Sequence, residues 1–349
     1  MKEVKFTNEK ICCIADLHIG VHQGNSIWHN ISVDFAKWLK AQLNTNNIKD
    51  IIICGDVNND RNEISVNTLH IINEFFKTLE EFNIVIIVGN HDAFYKNRSD
   101  INSLSLLAGW KNITIVDKLQ SITQFDKLIT LCPWGVELND IPTSDIVFGH
   151  FDINGFYMNP VKLSTDGIKS GDILDKSKNI ITGHFHMRDE RRYQTGSILY
   201  LGSPYELTWG EYNNSKGIYI YDLMSTKYTF IENTVSPKHK KVKLSEIMAI
   251  GKISDDIKKE FYGNFVSFII DKEIQQDKCE ELTAKLYTLK PLSLHVEHEL
   301  NEKATIEEIN YEFTGVDIAT AISEFVGVLD IKDKENVLKH TLELYKTFA

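Results

Sequence analysis

The chain has 349 residues, of which 42% are hydrophobic and 25% are charged, so its composition is that of an ordinary globular protein. Its 49 acidic and 38 basic residues give a net charge of −11, which excludes a protein that is basic all over. No apolar run approaches the ~20 residues of a membrane span, and residues 1–6 show no signal-peptide pattern. We therefore expect a cytoplasmic protein that has no membrane contact.

Apolar runs predict strands, and the amphipathic stretches between them predict helices. The first runs, at 11–14, 51–54 and 84–88, alternate with helical periodicity at 31–43 and 64–82, which is typical of parallel strands joined by crossover helices. Further strands are expected at 129–132, 145–148, 179–182, 198–201, 217–221 and 228–231. This order predicts an α/β protein with two sheets flanked by helices.

The remainder of the chain predicts smaller units. A charged segment at 237–243 reads as a boundary, and residues 265–270, 278–289 and 292–296 read as strand, helix and strand. The expected organisation is a core domain over 1–235, a small α+β capping domain over 236–300, an acidic linker over 301–313 and a helical tail over 314–349.

Five polar clusters stand where apolar runs end, and glycines in four of them are expected to turn the chain sharply. Alone, Asp16-Leu-His18 is explained by solvated polar residues, and the clusters at 55–56 and 89–92 by a turn or a helix cap, whereas the two histidines of 183–186 are a moderately specific signal. Ligands gather at the carboxyl ends of strands, so the conjunction of all five predicts one shared site. The clusters are Asp16-Leu-His18, Gly55-Asp56, Gly89-Asn90-His91-Asp92, Gly149-His150 and Gly183-His184-Phe-His186.

The side chains of these clusters indicate a pair of divalent metal ions. Carboxylate, imidazole and amide oxygen suit Mn²⁺, Mg²⁺ or Fe²⁺, and paired ions lie ~3.5 to 4 Å apart in hydrolytic sites. One ion would take Asp16, His18 and a later histidine, and the other would take Asn90, His150 and another later histidine. Asp56 would bridge the two ions with its two oxygens.

Two residues of the third cluster are candidates for catalysis rather than for metal binding. His91 is left over as a general acid or as a donor to the transition state. Asp92 would orient the ring of His91. The chemistry expected of the whole set is hydrolysis of phosphate esters.

The five clusters resemble the motifs of the calcineurin-like metallophosphoesterases, over residues 9–232. Segments 88–97, 149–157 and 182–186 are most similar to the SbcD-type nucleases of DNA double-strand-break repair, above all to T-even phage members of that group. The resemblance implies a four-layer α/β/β/α metallophosphoesterase sandwich. It also implies a Mn²⁺-dependent DNA exonuclease or endonuclease that processes DNA ends in recombination and repair.

The resemblance further implies cofactors and partners. The cofactors are two Mn²⁺ ions, with Mg²⁺ or another divalent ion as the alternative. The partners are double- and single-stranded DNA ends, an SMC-like, SbcC-like coiled-coil ATPase, and a second copy of the chain, with the host cytoplasm as location if a phage encodes it. The apolar helix expected at 334–348 would either cap its own domain or lie on the coiled coil of the ATPase, and the long linker before it favours binding of the ATPase by residues 314–349. The ligand sets that the resemblance implies are Asp16, His18, Asp56 and His186 for one ion and Asp56, Asn90, His150 and His184 for the other, with His91 as the catalytic histidine.

One feature departs from the cellular SbcD-type enzymes, which carry a histidine shortly after the aspartate of the second motif. Here the segment that follows Asp56 runs Val-Asn-Asn59-Asp-Arg61 and contains no histidine. Any role of that histidine in positioning DNA is therefore open for this chain.

Contacts to DNA rest on short basic stretches and on aromatic residues. Phe151, Phe156, Tyr157, Tyr205 and Trp209 are candidates for stacking on a DNA end. The basic candidates are Lys96, Arg98, Arg191, Arg192, Lys240 and Lys241. Two other functions are consistent with the motifs: a phosphodiesterase or phosphatase for small phosphoesters, and a non-catalytic scaffold that binds DNA ends.

Overall fold

Two six-stranded sheets pack face to face and form the body of the protein. The computed structural model describes residues 2–250, 253–299, 323, 326 and 333–348, with backbone alone for 344–348. In spatial order the first sheet contains β14 (Tyr228–Glu232), β13 (Gly217–Asp222), β1 (Lys10–Ile14), β2 (Asp50–Cys54), β3 (Asn83–Ile87) and β4 (Ile113–Val116). The second contains β11 (Asp189–Tyr193), β12 (Gly196–Tyr200), β10 (Asn179–Gly183), β7 (Ile146–His150), β6 (Lys127–Cys132) and β5 (Gln120–Gln124).

The central strands of both sheets are parallel and buried on both faces. Strands β1 to β4 run parallel, as do β6, β7, β10 and β12. Alternate residues of a strand point to opposite faces, so Ile52 of β2 faces the second sheet while Ile51 and Ile53 face the helices. This is why these strands appear in the sequence as continuous apolar runs.

Helices cover the outer face of the first sheet. They are α1 (Val21–Gly24), α2 (Ser26–Thr45) and α3 (Val66–Thr78), and Phe35 and Phe75 pack from α2 and α3 into the same core. The side chain of Ser65 caps α3 by accepting a hydrogen bond from the backbone N–H of Thr68. The second sheet is covered more thinly, by the short α4 (Ser170–Leu174) and by loops. The predicted α/β/β/α order is confirmed.

A separate three-stranded sheet follows the main sandwich. It consists of β15 (His239–Lys243), β16 (Phe265–Ile270) and β17 (Ser293–His298), all parallel, with α5 (Leu244–Ile250), α6 (Asp255–Phe261) and α7 (Gln276–Tyr287) beside it. The charged segment 237–243, expected to be a boundary, supplies the edge strand β15. The sequence did not predict this strand because its lysines make it look like a charged loop. An edge strand tolerates lysines, and here Val242 is buried while Lys241 is exposed.

Aromatic stacking joins the small sheet to the main sandwich. The ring of Trp28 on α2 lies 5.0 Å from that of Phe265 on β16. His239 of β15 is buried, and its Nδ1 lies 2.9 Å from the carboxylate of Glu206. The boundary at residues 235 and 236 stays a prediction.

Two further elements complete the described structure. A hairpin, β8 (Tyr157–Asn159) and β9 (Lys162–Leu163), follows β7, and α8 (Lys334–Phe348) lies near the end of the chain. The predicted linker 301–313 lies outside the described residues, as does much of the predicted tail 314–349. Among the helices that the structure describes, none has the length and apolar character that crossing a bilayer requires.

Candidate metal centre

The polar clusters converge because the strands that precede them are neighbours. β1 lies beside β2 in the first sheet, and β7 lies beside β10 in the second. The ring nitrogen Nδ1 of His150, at the end of β7, lies 2.8 Å from the carbonyl oxygen of Cys54, at the end of β2. This contact crosses the sandwich and brings the carboxyl ends of the two sheets to one place.

Four residues of the centre have left-handed backbone conformations. Their φ angles are 55° at Asp16, 44° at His18, 56° at Asp56 and 100° at His184. Such conformations are uncommon for residues with a side chain and persist where surrounding structure enforces them, often at functional sites. The chain therefore turns sharply as it leaves each strand, and each side chain points back toward the shared centre.

The glycines of the clusters have two different roles. Gly55 has a φ of 89°, which glycine adopts easily, as expected from the sequence. At Gly89 the reason is space, because a Cβ atom there would lie 2.2 Å from Oδ1 of Asp56. The expectation that every motif glycine serves to turn the chain was therefore too general.

Asp16, His18 and His186 form the first group of donor atoms. One ligand atom from each lies within 4.8 Å of the other two. Nε2 of His18 lies 3.0 Å from Nε2 of His186, so two imidazole nitrogens point at the same small volume. Two lone pairs that face each other in this way suit a shared cation.

The second group contains Asp56, Asn90, His150 and His184. The amide oxygen of Asn90 lies 2.9 Å from Nε2 of His150 and 2.8 Å from Nδ1 of His184. Oδ2 of Asp56 lies 3.3 Å from Nε2 of His150 and 3.6 Å from Nε2 of His18, which belongs to the first group. Asp56 thus stands between the two groups.

An unpartnered oxygen tests whether this donor set fits a metal ion. Asp16 is fully buried; its Oδ1 accepts a hydrogen bond of 3.0 Å from the backbone N–H of His184, while its Oδ2 has no partner. A buried carboxylate oxygen without a partner is costly, and a cation beside it removes the cost. Oxygen and imidazole donors in this number suit divalent ions, so the residues fit the metal.

The two central carboxylates differ in their electrostatics. Burial raises the pKa of Asp16 to about 6, although His150 opposes the shift. Burial would also raise the pKa of Asp56, but the adjacent His150 and His18 outweigh it and hold that pKa well below its usual range. Asp56 is therefore the more strongly ionised of the two, as a bridging ligand needs to be.

The histidines of the centre also differ in the direction in which their pKa values are shifted. Burial lowers the pKa of both His18 and His184 to about 3, so these rings are neutral and ready to donate a lone pair. Burial acts on His150 in the same direction, but the charge of Asp56 outweighs it and raises the pKa to about 9.

The structure places His91 at the centre but gives Asp92 a different role from the one predicted. Nδ1 of His91 lies 2.7 Å from the backbone carbonyl oxygen of Asn59, and that carbonyl orients the ring. Asp92 is fully buried and accepts three backbone N–H bonds, from Asp56 at 2.9 Å, Asn58 at 3.0 Å and Gly89 at 3.0 Å. Asp92 therefore holds the backbone that carries the ligands and does not orient His91.

Glu211 is a functional candidate that sequence reasoning missed. Its Oε1 lies 3.0 Å from Nδ1 of His186, and its Oε2 accepts hydrogen bonds from Ser203 and Leu207 and pairs with the buried Lys216 at 2.6 Å. Burial raises the pKa of Glu211, but Lys216 outweighs it and lowers the value to about 2. Burial would lower the pKa of His186, but its bond to Glu211 raises it. No local motif marks this acid, because its pairing with His186 exists only in the folded chain.

Predicted DNA contacts fall into two sets. Lys96 and Arg98 are exposed in the loop after His91, and the indole N–H of Trp134, whose ring lies 5.2 Å from that of His184, donates to the carbonyl oxygen of Lys96. The backbone of Lys96 is therefore near the centre. Arg98 is paired with Asp100, and the other four are also largely engaged with neighbours. These contacts are Arg191 with Asp189, Arg192 with Glu190, Lys240 with Glu260, and Lys241 over the ring of Tyr212.

Most of the aromatic candidates for DNA stacking are wrong. Phe151, Phe156 and Tyr205 are buried in the core. Tyr157 is 41% exposed, and Trp209 is half-buried beside His239. Aromatic residues are found in the core of a protein more often than on a binding surface.

Comparisons with known proteins agree with this geometry. Residues 9–221 match the family described as calcineurin-like phosphoesterase. The chain is 28% identical to exonuclease subunit 1 of Enterobacteria phage T4, and the alignment covers 96% of this chain and 98% of that relative. It is 32% identical to an uncharacterized protein of Acanthamoeba polyphaga mimivirus over 26% of the chain and 7% of that protein.

Among solved structures, a novel archaeal phosphodiesterase aligns with a TM-score of 0.36 and 18% identity, covering 64% of this chain and 99% of that one. The family match spans strands β1 to β12, the five clusters and the groups of donor atoms described above. The chain belongs to the calcineurin-like phosphoesterase family and is by that membership a hydrolase of phosphoester bonds.

Proposed function

We propose that the protein is a Mn²⁺-dependent nuclease that hydrolyses phosphodiester bonds at DNA ends during recombination and repair. One observation carries the proposal: Oδ2 of Asp56 lies between two groups of oxygen and nitrogen donors, most of them buried. The similarity to a phage exonuclease subunit over almost the whole chain supports DNA, rather than a small phosphoester, as the substrate.

The proposed ligands divide between two ions. When bound, a pair of divalent ions lowers the pKa of water and stabilises the attacking and leaving oxygens of the phosphoryl group. Asp16, His18, Asp56 and His186 would hold one ion, and Asp56, Asn90, His150 and His184 the other. Hydrogen bonds from Nδ1 of His150 to the Cys54 carbonyl and from Nδ1 of His186 to Glu211 leave Nε2 of both rings free as ligands.

His91 is proposed as the residue that acts on the substrate. Because its Nδ1 is bonded to the carbonyl of Asn59, Nε2 is the nitrogen left to face a phosphate. A proton on Nε2 would stabilise charge on the phosphoryl or leaving oxygen. The backbone N–H of His91 donates to Oδ1 of Asp56 at 2.8 Å, which fixes the residue beside the bridging carboxylate.

Partners complete the proposal. The predicted tail, residues 314–349, would bind a coiled-coil ATPase subunit, since the phage relative is named as a subunit. Helix α3 would contribute to a homodimer contact; Val66 at its start is 83% exposed. Lys96 and Arg98 would hold DNA phosphates, and the cytoplasm remains the predicted location.

The test compares substrates, metals and variants. Purified protein is incubated with end-labelled single- and double-stranded DNA and with a small chromogenic phosphodiester, in Mn²⁺, Mg²⁺ or chelator. Asp16→Ala and His91→Ala should stay folded and lose DNA cleavage by at least ~100-fold, the lower range for loss of one catalytic group. The exposed His298→Ala is the matched control and should cleave as the parent does.

Each alternative has its own result in this assay. Cleavage of the small ester without cleavage of DNA would support the phosphodiesterase alternative. Binding of DNA ends without cleavage of either substrate would support the scaffold. Unchanged DNA cleavage by both Asp16→Ala and His91→Ala would refute the assignment of the site.

The tail is tested by truncation. Protein that ends at residue 313 should keep metal-dependent cleavage of the small ester and lose binding to an SMC-like coiled-coil ATPase. Binding that survives the truncation would defeat the proposed role of residues 314–349.

A further inference from the structure

Residues 93–98, here called the aromatic loop, follow His91 and Asp92 directly. The loop carries two exposed aromatic side chains: Phe94 is 49% exposed and Tyr95 is 40% exposed. Phenylalanine is among the residues most often buried, so a half-exposed one beside a candidate catalytic histidine is informative.

The aromatic loop is tied to the metal centre at both ends. It starts two residues after His91, and its Lys96 carbonyl oxygen accepts a 2.7 Å hydrogen bond from the indole of Trp134. The ring of Trp134 lies 5.2 Å from that of His184. Since consecutive Cα atoms are 3.80 Å apart, the Cα atom of Phe94 lies within ~11 Å of that of His91.

Hydrogen bonds hold the loop in a defined conformation. The backbone N–H of Phe94 donates to the carbonyl of Ile101 at 3.0 Å, and the hydroxyl of Ser99 donates to the carbonyl of Asp117 at 2.9 Å. The exposed rings are therefore presented by a fixed backbone. A surface that is ordered before binding loses less entropy when a ligand arrives.

Local charge favours a polyanion as the ligand. The aromatic loop contains Lys96 and Arg98 and no acid, with Asp92 before it and Asp100 two residues after it, whereas the chain as a whole has a net charge of −11. The guanidinium of Arg98 lies 4.3 Å from the ring of Tyr95 and pairs with Asp100 at 3.0 Å. Basic side chains that flank exposed rings are typical of single-stranded nucleic-acid binding, where rings stack on bases and cations contact phosphates.

We propose that Phe94 is a stacking platform for an unpaired base of the DNA strand that enters the metal centre. The planes of Phe94 and Tyr95 meet at 87°, so one base stacks on one of these rings and not on both. Phe94 is the more exposed ring, whereas Arg98 covers one face of Tyr95 and holds it as a support. This proposal rests on the proposed function, because it takes DNA as the substrate.

The separation between Phe94 and His91 indicates how much of the DNA end must be unpaired. A duplex strand advances ~3.4 Å per nucleotide, so ~11 Å corresponds to about three nucleotides. Because the side chains of Phe94 and His91 add their own reach to this Cα separation, the stacked base would lie a few positions from the phosphate at the metal centre. The enzyme would prefer ends that fray or already carry a short single-stranded overhang over flush ends.

The experiment measures stacking directly. Oligonucleotides with phosphorothioate linkages and with 2-aminopurine at one of the last five positions are bound to the full-length protein, and quenching of the 2-aminopurine fluorescence is recorded. Quenching is expected at one or two neighbouring positions. Phe94→Ala should remove it and weaken binding by roughly 5- to 150-fold, the range for one stacked base.

Matched variants distinguish the effect of the aromatic ring of Phe94 from the effect of its side-chain volume. Phe94→Leu keeps most of the volume without a ring and should behave as Phe94→Ala does, whereas Phe94→Tyr should restore quenching and affinity. Tyr262, 69% exposed outside the aromatic loop, supplies the control, and Tyr262→Ala should have no effect. Tyr262→Ala should also hydrolyse the small chromogenic ester at the parent rate.

Two results would overturn the proposal. One is equal quenching and affinity in Phe94→Ala and the parent; the other is a change of oligomeric state in Phe94→Ala, seen by sedimentation, with DNA affinity unaltered. Failure of the proposed function looks different, because the parent itself would then cleave the small ester without binding or cleaving DNA, or would bind DNA without cleaving either substrate.

Discussion

Oε1 of Glu211 lies 3.0 Å from Nδ1 of His186, while Nε2 of the same ring points at His18. A carboxylate on the far nitrogen of a metal-binding histidine fixes its tautomer and raises its basicity. Glu211 itself is buried and paired with Lys216, so the histidine has little freedom to turn. The relationship gives two predictions that do not depend on catalysis.

The first concerns metal affinity. Glu211→Gln should weaken binding of Mn²⁺ by about 10- to 100-fold, because the amide removes the charge that supports His186. Titration calorimetry on the metal-free protein measures it. Glu297→Gln, which alters an exposed carboxylate near His295, is the control and should leave the affinity unchanged. Equal affinities for Glu211→Gln and the parent would show that the contact has no effect on the metal.

A second prediction concerns stability and pH. Lys216→Met leaves Glu211 buried without its partner and should lower the free energy of unfolding by about 3–5 kcal/mol. Since the pKa of Glu211 is lowered to about 2 from 4.5, the pair stabilises the fold above about pH 4.5. That stability is lost as the pH falls through about 2.

Denaturant unfolding of metal-free protein at several pH values measures this difference. The difference in the free energy of unfolding between Lys216→Met and the parent should be largest near neutral pH and should decrease toward pH 3. A double variant, Lys216→Met with Glu211→Gln, should recover part of the loss, because no buried charge then lacks a partner. A gap that stays constant with pH would contradict the ion-pair explanation.

A third prediction separates Asn59 from His91. The atom that orients His91 is the backbone carbonyl of Asn59, so the Asn59 side chain is dispensable for this contact. Asn59→Ala should therefore hydrolyse the small chromogenic ester at close to the parent rate, while His91→Ala should lose at least ~100-fold. Steady-state kinetics on the two variants decide the matter, and a large loss in Asn59→Ala would mean that its side chain takes part in the reaction.

The last prediction concerns the thiols. All five cysteines are buried and free, and burial raises the pKa of Cys12 and Cys132 far above the usual thiol range. None should react rapidly with a thiol reagent in native protein, since the thiolate is the reactive form. All five should react after denaturation, and a fast-reacting thiol in native protein would locate an opening of the core.

The elements of the fold are accessible from the sequence for a local reason. A strand buried on both faces needs apolar residues at every position. The segments around Ile52, Val85 and Val147 can therefore be recognised as strands from the sequence. The polar residues that end such strands are equally visible. Asp16, Asp56 and His150 are therefore recognisable as site candidates from the amino-acid pattern alone.

Pairing between distant residues is not accessible in the same way. The backbone N–H of His184 donates to Asp16 across 168 positions, and Glu211 reaches His186 through a loop that has no motif. The exposure of Phe94 and the burial of Phe156 also depend on what packs beside each ring, although both are phenylalanines near a motif. The sequence determined the strands, the clusters and the family, because local patterns record burial. Only the tertiary structure decided which carbonyl orients His91, which acid supports His186 and which rings face solvent, because those depend on contacts between segments far apart in the chain.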